Sequence, residues 1–128
     1  PVTQGVFLVV KPEFGCPTGE AYRKYDESPL EIHGGLERFT AGLPGNYAPE
    51  MYNVFQRLYS DKRIEDICAR LTALGAKGAM LTGSGSAVFG VFDNEANAKR
   101  ASGEFPGCFT AVSGCVREGV SITEREVL

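Results

Sequence analysis

A chain of 128 residues with net charge −3, 43% hydrophobic and 23% charged, is long enough to bury its own core without disulfides or a structural metal. Its basic residues are scattered rather than gathered in a stripe, which excludes a nucleic-acid platform. No apolar run reaches the roughly 18 residues of a membrane span, and no secretory leader is visible, so a single cytoplasmic domain over residues 1–128 is expected.

Val6-Phe7-Leu8-Val9-Val10 is a continuous apolar run and predicts a strand buried on both faces. Pro12 and Pro17 bracket an extended connection, because proline has no amide to give a central ladder. Thr18 is a helix N-cap residue type, opening a short helix from Glu20 or Ala21 to Tyr25. Between residues 26 and 46 only Ile32, Leu36 and Phe39 keep helical spacing among prolines and glycines, which predicts a short helix between mobile ends. From Ala48 the pattern strengthens. Met51, Val54, Phe55 and Leu58 fall on one face of an amphipathic helix. Asp61 caps the next helix, whose stripe is Ile64, Ile67, Cys68, Leu71 and Leu74 and whose stop is Gly75. Then come a strand at Gly78–Thr82, a turn, a strand at Ala87–Phe92, a helix capped by Asp93 and running through Glu104, and a last strand at Cys108–Val116. The charged tail from Arg117 is expected to fray. A hairpin set between two helical crossovers is the α+β, ferredoxin-like split βαβ sandwich: a four-stranded antiparallel sheet, here with extra helices.

The turn Gly83-Ser84-Gly85-Ser86 carries the most chemistry. Glycine permits backbone angles that other residues resist and leaves no Cβ to hold a ligand away. Successive amides of such a turn converge on an anion, with the serine hydroxyls as further donors. A phosphate is one guest; a tight hairpin of small residues that binds nothing is the other reading. Cys16, Cys68, Cys108 and Cys115 form no C-x-x-C pair and His33 is the only histidine, so no metal site is expected, and the cysteines read as buried free thiols of a reducing cytosol. His33 reads as a surface residue, and Lys11 as a solvated lysine.

Three segments together resemble the C-terminal half of the GHMP small-molecule kinases. They are Phe7-Leu8-Val9-Val10-Lys11-Pro12 continuing through Cys16-Pro17-Thr18-Gly19-Glu20-Ala21-Tyr22, then Tyr52-Asn53-Val54-Phe55, then Leu81 through Gly90 around the glycine turn. The resemblance implies transfer of the γ-phosphoryl of ATP, carried with Mg2+, to an alcohol of a small metabolite. Gly83, Ser84, Gly85 and Ser86 would then stand on the phosphate side, supporting the nucleotide or propping the neighbouring domain's loop. Pro17, Thr18 and Tyr22 would form a wall for the metabolite. For Thr18 a plain helix cap is an equal alternative, and for Tyr22 a core aromatic. Asn53 either bonds a neighbouring loop or faces water, with water favoured.

The family's other glycine-serine loop, P-x-x-x-G-L-G-S-S-A, and its catalytic aspartate and lysine find no match in this chain. No catalytic residue is therefore assigned here. The implied partner is an N-terminal ATP-binding domain, and the chain alone is expected to be inactive. Apolar residues on both faces of two strands predict exposed apolar surface near the glycine turn or Thr18, for that domain or for self-association. The competing reading is a non-catalytic ferredoxin-like module that binds a ligand or regulates a partner.

Overall fold

A computed structural model describes residues 5–28 and 35–124. Ile32 and His33 lie outside the described residues. Strand β1 (Val6–Lys11) is followed by α1 (Thr18–Glu27), α2 (Leu36–Ala41), a single 3-10 turn (Ala48–Glu50), α3 (Val54–Tyr59) and α4 (Lys62–Ala73). The hairpin β2 (Gly78–Leu81) and β3 (Val88–Phe92) comes next, then α5 (Glu95–Ser102) and β4 (Phe109–Ser113). The strands form one sheet in the order β2-β3-β1-β4, with all three neighbouring pairs antiparallel. That is the expected ferredoxin-like arrangement.

Alternation along the strands decides what each face does. Leu8 and Val10 pair with Gly90 and Val88 and turn towards α4 and α5. There they join Ile64, Leu71, Phe92, Ala98, Ala101 and Phe105 in the core. Gly90 is packed so closely that an added Cβ would lie 3.2 Å from Leu71 Cδ2 and 3.3 Å from Ala76 Cβ. The opposite face is covered only over β2 and its neighbour. An added Cβ on Gly78 would meet Met51 Sδ at 3.0 Å and Ala48 Cβ at 3.1 Å, and Phe39 and Tyr47 stack beside them, their centroids 5.3 Å apart. Over β1 and β4 the cover thins. Phe7, Val9 and Phe89 are half-buried, and Phe109 at the β4 edge is 67% exposed. Both faces of β1 are thus apolar, but only one is fully buried.

Several local expectations are corrected. Thr18 does not cap α1; Pro17 holds the cap position and Thr18 is the first helical residue. The helix expected from Ala48 begins at Val54, because Asn53 takes its cap while Met51 stays extended. Asn94, not Asp93, caps α5 by accepting from the Asn97 amide, and Asp93 pairs instead with Lys77 at 2.6 Å. The helix stops at Ser102 and the last strand at Ser113. Asp61 caps α4 as expected, accepting from the Arg63 amide. No helix among the described residues is long and apolar enough to cross a membrane.

Candidate functional site

The glycine turn closes the β2–β3 hairpin. The Thr82 amide donates to Ala87 O at 2.8 Å, and inside it the Gly85 amide donates to Thr82 O at 3.0 Å. The two glycines serve different ends. Gly85 has φ +89, and a Cβ there would lie 2.9 Å from both Cys16 Sγ and Leu81 Cδ1. Gly83 has φ +54 and no neighbour within 4 Å of an added Cβ, so it borders open space. The serines divide in the same way. Ser86 is 2% exposed and donates to Phe14 O at 2.6 Å, which makes it part of the floor. Ser84 lies at the rim. Among the described residues no backbone carbonyl accepts from the Gly83 or Ser84 amide.

The rim meets the start of α1. The Thr18 and Ser84 hydroxyls share a hydrogen bond at 3.0 Å across 66 positions of sequence. The first helical bond of α1 runs from the Ala21 amide to Pro17 O, and Pro17 supplies no side-chain cap. The amides of Thr18, Gly19 and Glu20 are therefore the orphan donors of this helix end. Tyr22, one turn further on, is 55% exposed rather than a core aromatic. Its ring packs edge-on against Phe55 at 5.0 Å. Of Pro17, Thr18 and Tyr22, the structure brings Thr18 to Ser84, with Pro17 beside it in sequence and Tyr22 turned to Phe55, whereas Gly85 and Ser86 pack inward on Cys16 and Phe14.

Asn53, which the sequence left between bonding a neighbouring loop and facing water, holds the site together with Gln56 and Tyr59, which had no part in it on sequence grounds. Asn53 Oδ1 accepts from the Phe55 and Gln56 amides at 2.9 and 3.4 Å, and its Nδ2 donates to Leu81 O at 2.7 Å and Gly83 O at 2.9 Å. The favoured solvent-facing position for Asn53 is therefore wrong. Gln56 Oε1 accepts from the Leu81 amide at 2.8 Å, completing the outer edge of β2. Tyr59 donates its hydroxyl to Pro17 O at 2.6 Å. An available cue was Asn53 itself, a favoured cap residue directly before a helical run. Lys11 is also not simply solvated: its ammonium donates to Pro12 O at 2.6 Å and Phe14 O at 3.2 Å. It thus shares the Phe14 carbonyl with Ser86.

The electrostatics are those of a donor site rather than a nucleophile. Burial, reinforced by Asp61, pushes the Cys16 thiol up. Burial pushes Cys68 up to about 11. Neither is activated as a thiolate, and of the cysteines expected to be buried only Cys68 is: Cys16 and Cys108 are half-buried and Cys115 is exposed. Among the described residues no group of three or more His, Cys, Asp or Glu is placed to hold a metal ion. What the rim offers is amides and hydroxyls, the complement of an anion.

Residues 32–110 match the family described as GHMP kinases C terminal. Over 106 residues the chain is 31% identical to a 4-diphosphocytidyl-2-C-methyl-D-erythritol kinase of Clostridium botulinum, covering 78% of this chain and 38% of the relative. It is 34% identical over 101 residues to the enzyme of the same name from Clostridium novyi, covering 74% and 36%. With that of Caldanaerobacter subterraneus it shares 32% over 123 residues, covering 90% and 43%. The chain thus spans 36% to 43% of the length of these relatives. Among solved structures, a 4-(cytidine 5'-diphospho)-2C-methyl-D-erythritol kinase superposes with TM-score 0.65 at 21% identity, over 89% of this chain and 45% of that one. A homoserine kinase from Cytophaga hutchinsonii superposes with TM-score 0.66 at 16% identity, over 93% and 44%. At those identities the structures establish the fold.

Proposed function

The chain belongs to the GHMP kinase C-terminal family, and from that premise we propose that it is the C-terminal domain of an ATP-dependent small-molecule kinase. Its alcohol substrate is 4-diphosphocytidyl-2-C-methyl-D-erythritol, in the non-mevalonate route to isoprenoids. The single observation that carries the proposal is the Thr18–Ser84 hydrogen bond, which joins the start of α1 to the glycine turn. The names of the relatives support the choice of alcohol.

Each residue has a physical role in that scheme. The Gly83 and Ser84 amides and the Ser84 and Thr18 hydroxyls receive phosphate oxygens, with the uncapped end of α1 adding its positive pole. Gly85 and Ser86 keep the bend in place from behind. Pro17, Thr18 and the half-exposed ring of Tyr22 border the metabolite. Phosphoryl transfer depends chiefly on positioning and charge stabilisation, and this chain supplies part of both. The catalytic aspartate, its lysine partner and the magnesium ion that accompanies ATP belong to an N-terminal domain in this scheme. Apolar surface around Tyr22 and Phe109 is the contact for that domain or a second copy, and the enzyme works in the cytoplasm.

The test is phosphoryl transfer from labelled ATP. It compares the chain alone with a polypeptide joining it to the N-terminal domain of the Caldanaerobacter subterraneus relative. The joined polypeptide is expected to phosphorylate 4-diphosphocytidyl-2-C-methyl-D-erythritol and not homoserine, and the chain alone neither. Turnover by the chain alone, or transfer to homoserine only, overturns the proposal.

A further inference from the structure

We propose that Asn53 is the positioning residue of the glycine turn: by holding the Gly83 carbonyl against α3, it aims the Ser84 amide at the rim. The Gly83–Ser84 peptide is trans, and a planar trans peptide points its carbonyl and its amide in opposite directions. Donation from Asn53 Nδ2 to Gly83 O therefore fixes the direction of the Ser84 N–H. The preceding contact works by the same rule. Asn53 holds Leu81 O on the outer edge of β2, and the Thr82 amide on the far side of that peptide donates inward to Ala87 O. One side chain thus holds two carbonyls, Leu81 O and Gly83 O, on the α3 side of the hairpin.

The other end of the Asn53 amide ties this aim to α3 through the Phe55 and Gln56 amides. The same helix supports the metabolite wall, with Phe55 against Tyr22 and Tyr59 on Pro17 O. Asn53 therefore sets the turn and the wall in one frame. That a phosphate occupies the rim rests on the function proposed above; the aim of the amide does not.

Asn53→Asp separates positioning from capping. A carboxylate still caps α3, but it has no donors and sets a negative oxygen against the Leu81 and Gly83 carbonyls. Amide spectra and hydrogen exchange of the 15N-labelled chain are the readout. Asn53→Asp is expected to displace the Ser84 and Gly85 cross-peaks and speed Gly85 exchange about tenfold or more, while Phe55 and Gln56 keep their protection within about threefold. Asn53→Ser, which caps but is too short to reach across, is expected to do the same, and it decides the matter if the aspartate variant fails to fold. Unchanged Ser84 and Gly85 signals overturn the proposal, as does equal loss of protection in the turn and α3. In the joined polypeptide, Asn53→Asp is expected to lower kcat about tenfold with the KM for the alcohol within about threefold; an unchanged kcat overturns the functional part. The spectra need no ligand, so their failure leaves the kinase proposal standing. Absence of transfer by the unsubstituted polypeptide in turn leaves the aim of Ser84 standing.

Discussion

The helix-covered face of the sheet and the glycine-turn end are held by different forces. At the covered face, Leu8, Leu71, Val88 and Phe92 are essentially inaccessible and the contacts are apolar and non-directional, so shape and volume decide stability. At the turn end the ties are long-range polar bonds. Asn53 reaches Leu81 and Gly83, Tyr59 reaches Pro17, Ser86 reaches Phe14, and Thr18 meets Ser84. Each contributes only about 0.5–1.5 kcal/mol net, yet each fixes a direction. The core makes the domain exist; the polar clasps decide where the rim donors point.

The comparison breaks most visibly at Leu71. Leu71→Ala leaves a cavity among α4, β2 and β3 and is expected to cost about 2–5 kcal/mol. In thermal unfolding followed by circular dichroism the whole sheet should melt earlier as one transition. A small effect would mean that α4 is not central to the core. Gly85→Ala should act locally. Its φ of +89 and the 2.9 Å approach to Cys16 Sγ predict a loss of about 1–3 kcal/mol, with amide shifts concentrated in Thr82–Ala87 and Cys16. Shifts spread evenly over α4 and α5 would show that turn and core are not separable.

Elements and their order were legible because apolar periodicity marks them: the β1 run, the α4 stripe and the β3 run all lie where the pattern puts them. Ends were less legible. Thr18 and Asp93 have good cap chemistry, but Pro17 and Asn94 occupy the cap positions, since a cap is chosen by backbone geometry as well as residue type. The site was half legible. Glycines and serines at 83–86 announce a special turn, yet nothing local says that Ser86 faces inward while Ser84 faces the rim. That division depends on Phe14 and Thr18, 72 and 66 positions away. Asn53 was misread because a polar residue off an apolar stripe resembles a solvated one until its partners are in place.

At the opening of α4, on the same side of the molecule, a smaller effect sharpens the contrast. The Asp61 carboxylate caps the helix, and its hydrogen bond to the Arg63 guanidinium holds it below the ordinary value of 3.8. A group whose pKa is depressed by folding stabilises the fold above its unfolded value and loses that contribution as pH falls through the folded one. Asp61→Ala should cost about 0.5–2 kcal/mol at neutral pH, and the gap to the unsubstituted chain should close below pH 3.8. A gap that persists in acid would assign the effect to lost packing rather than to the carboxylate.

The smallest expected effect bears most directly on the rim. Tyr59→Phe removes only the donor to Pro17 O and should cost about 0.5–1.5 kcal/mol, close to the limit of a melting experiment. Titration offers a cleaner measure. Burial raises the Tyr59 phenol above its ordinary value of 10.0, with Cys16 and Glu20 adding to the rise. A raised acid of this kind contributes stability fully present below pH 10.0 and lost as pH climbs through the folded value. The unsubstituted chain should therefore weaken in alkali more steeply than Tyr59→Phe. Equal alkaline slopes would mean that the phenol is not buried beside Cys16 and Glu20 in solution, and the contact of α3 with the start of α1 would be looser than its hydrogen bond to Pro17 O implies.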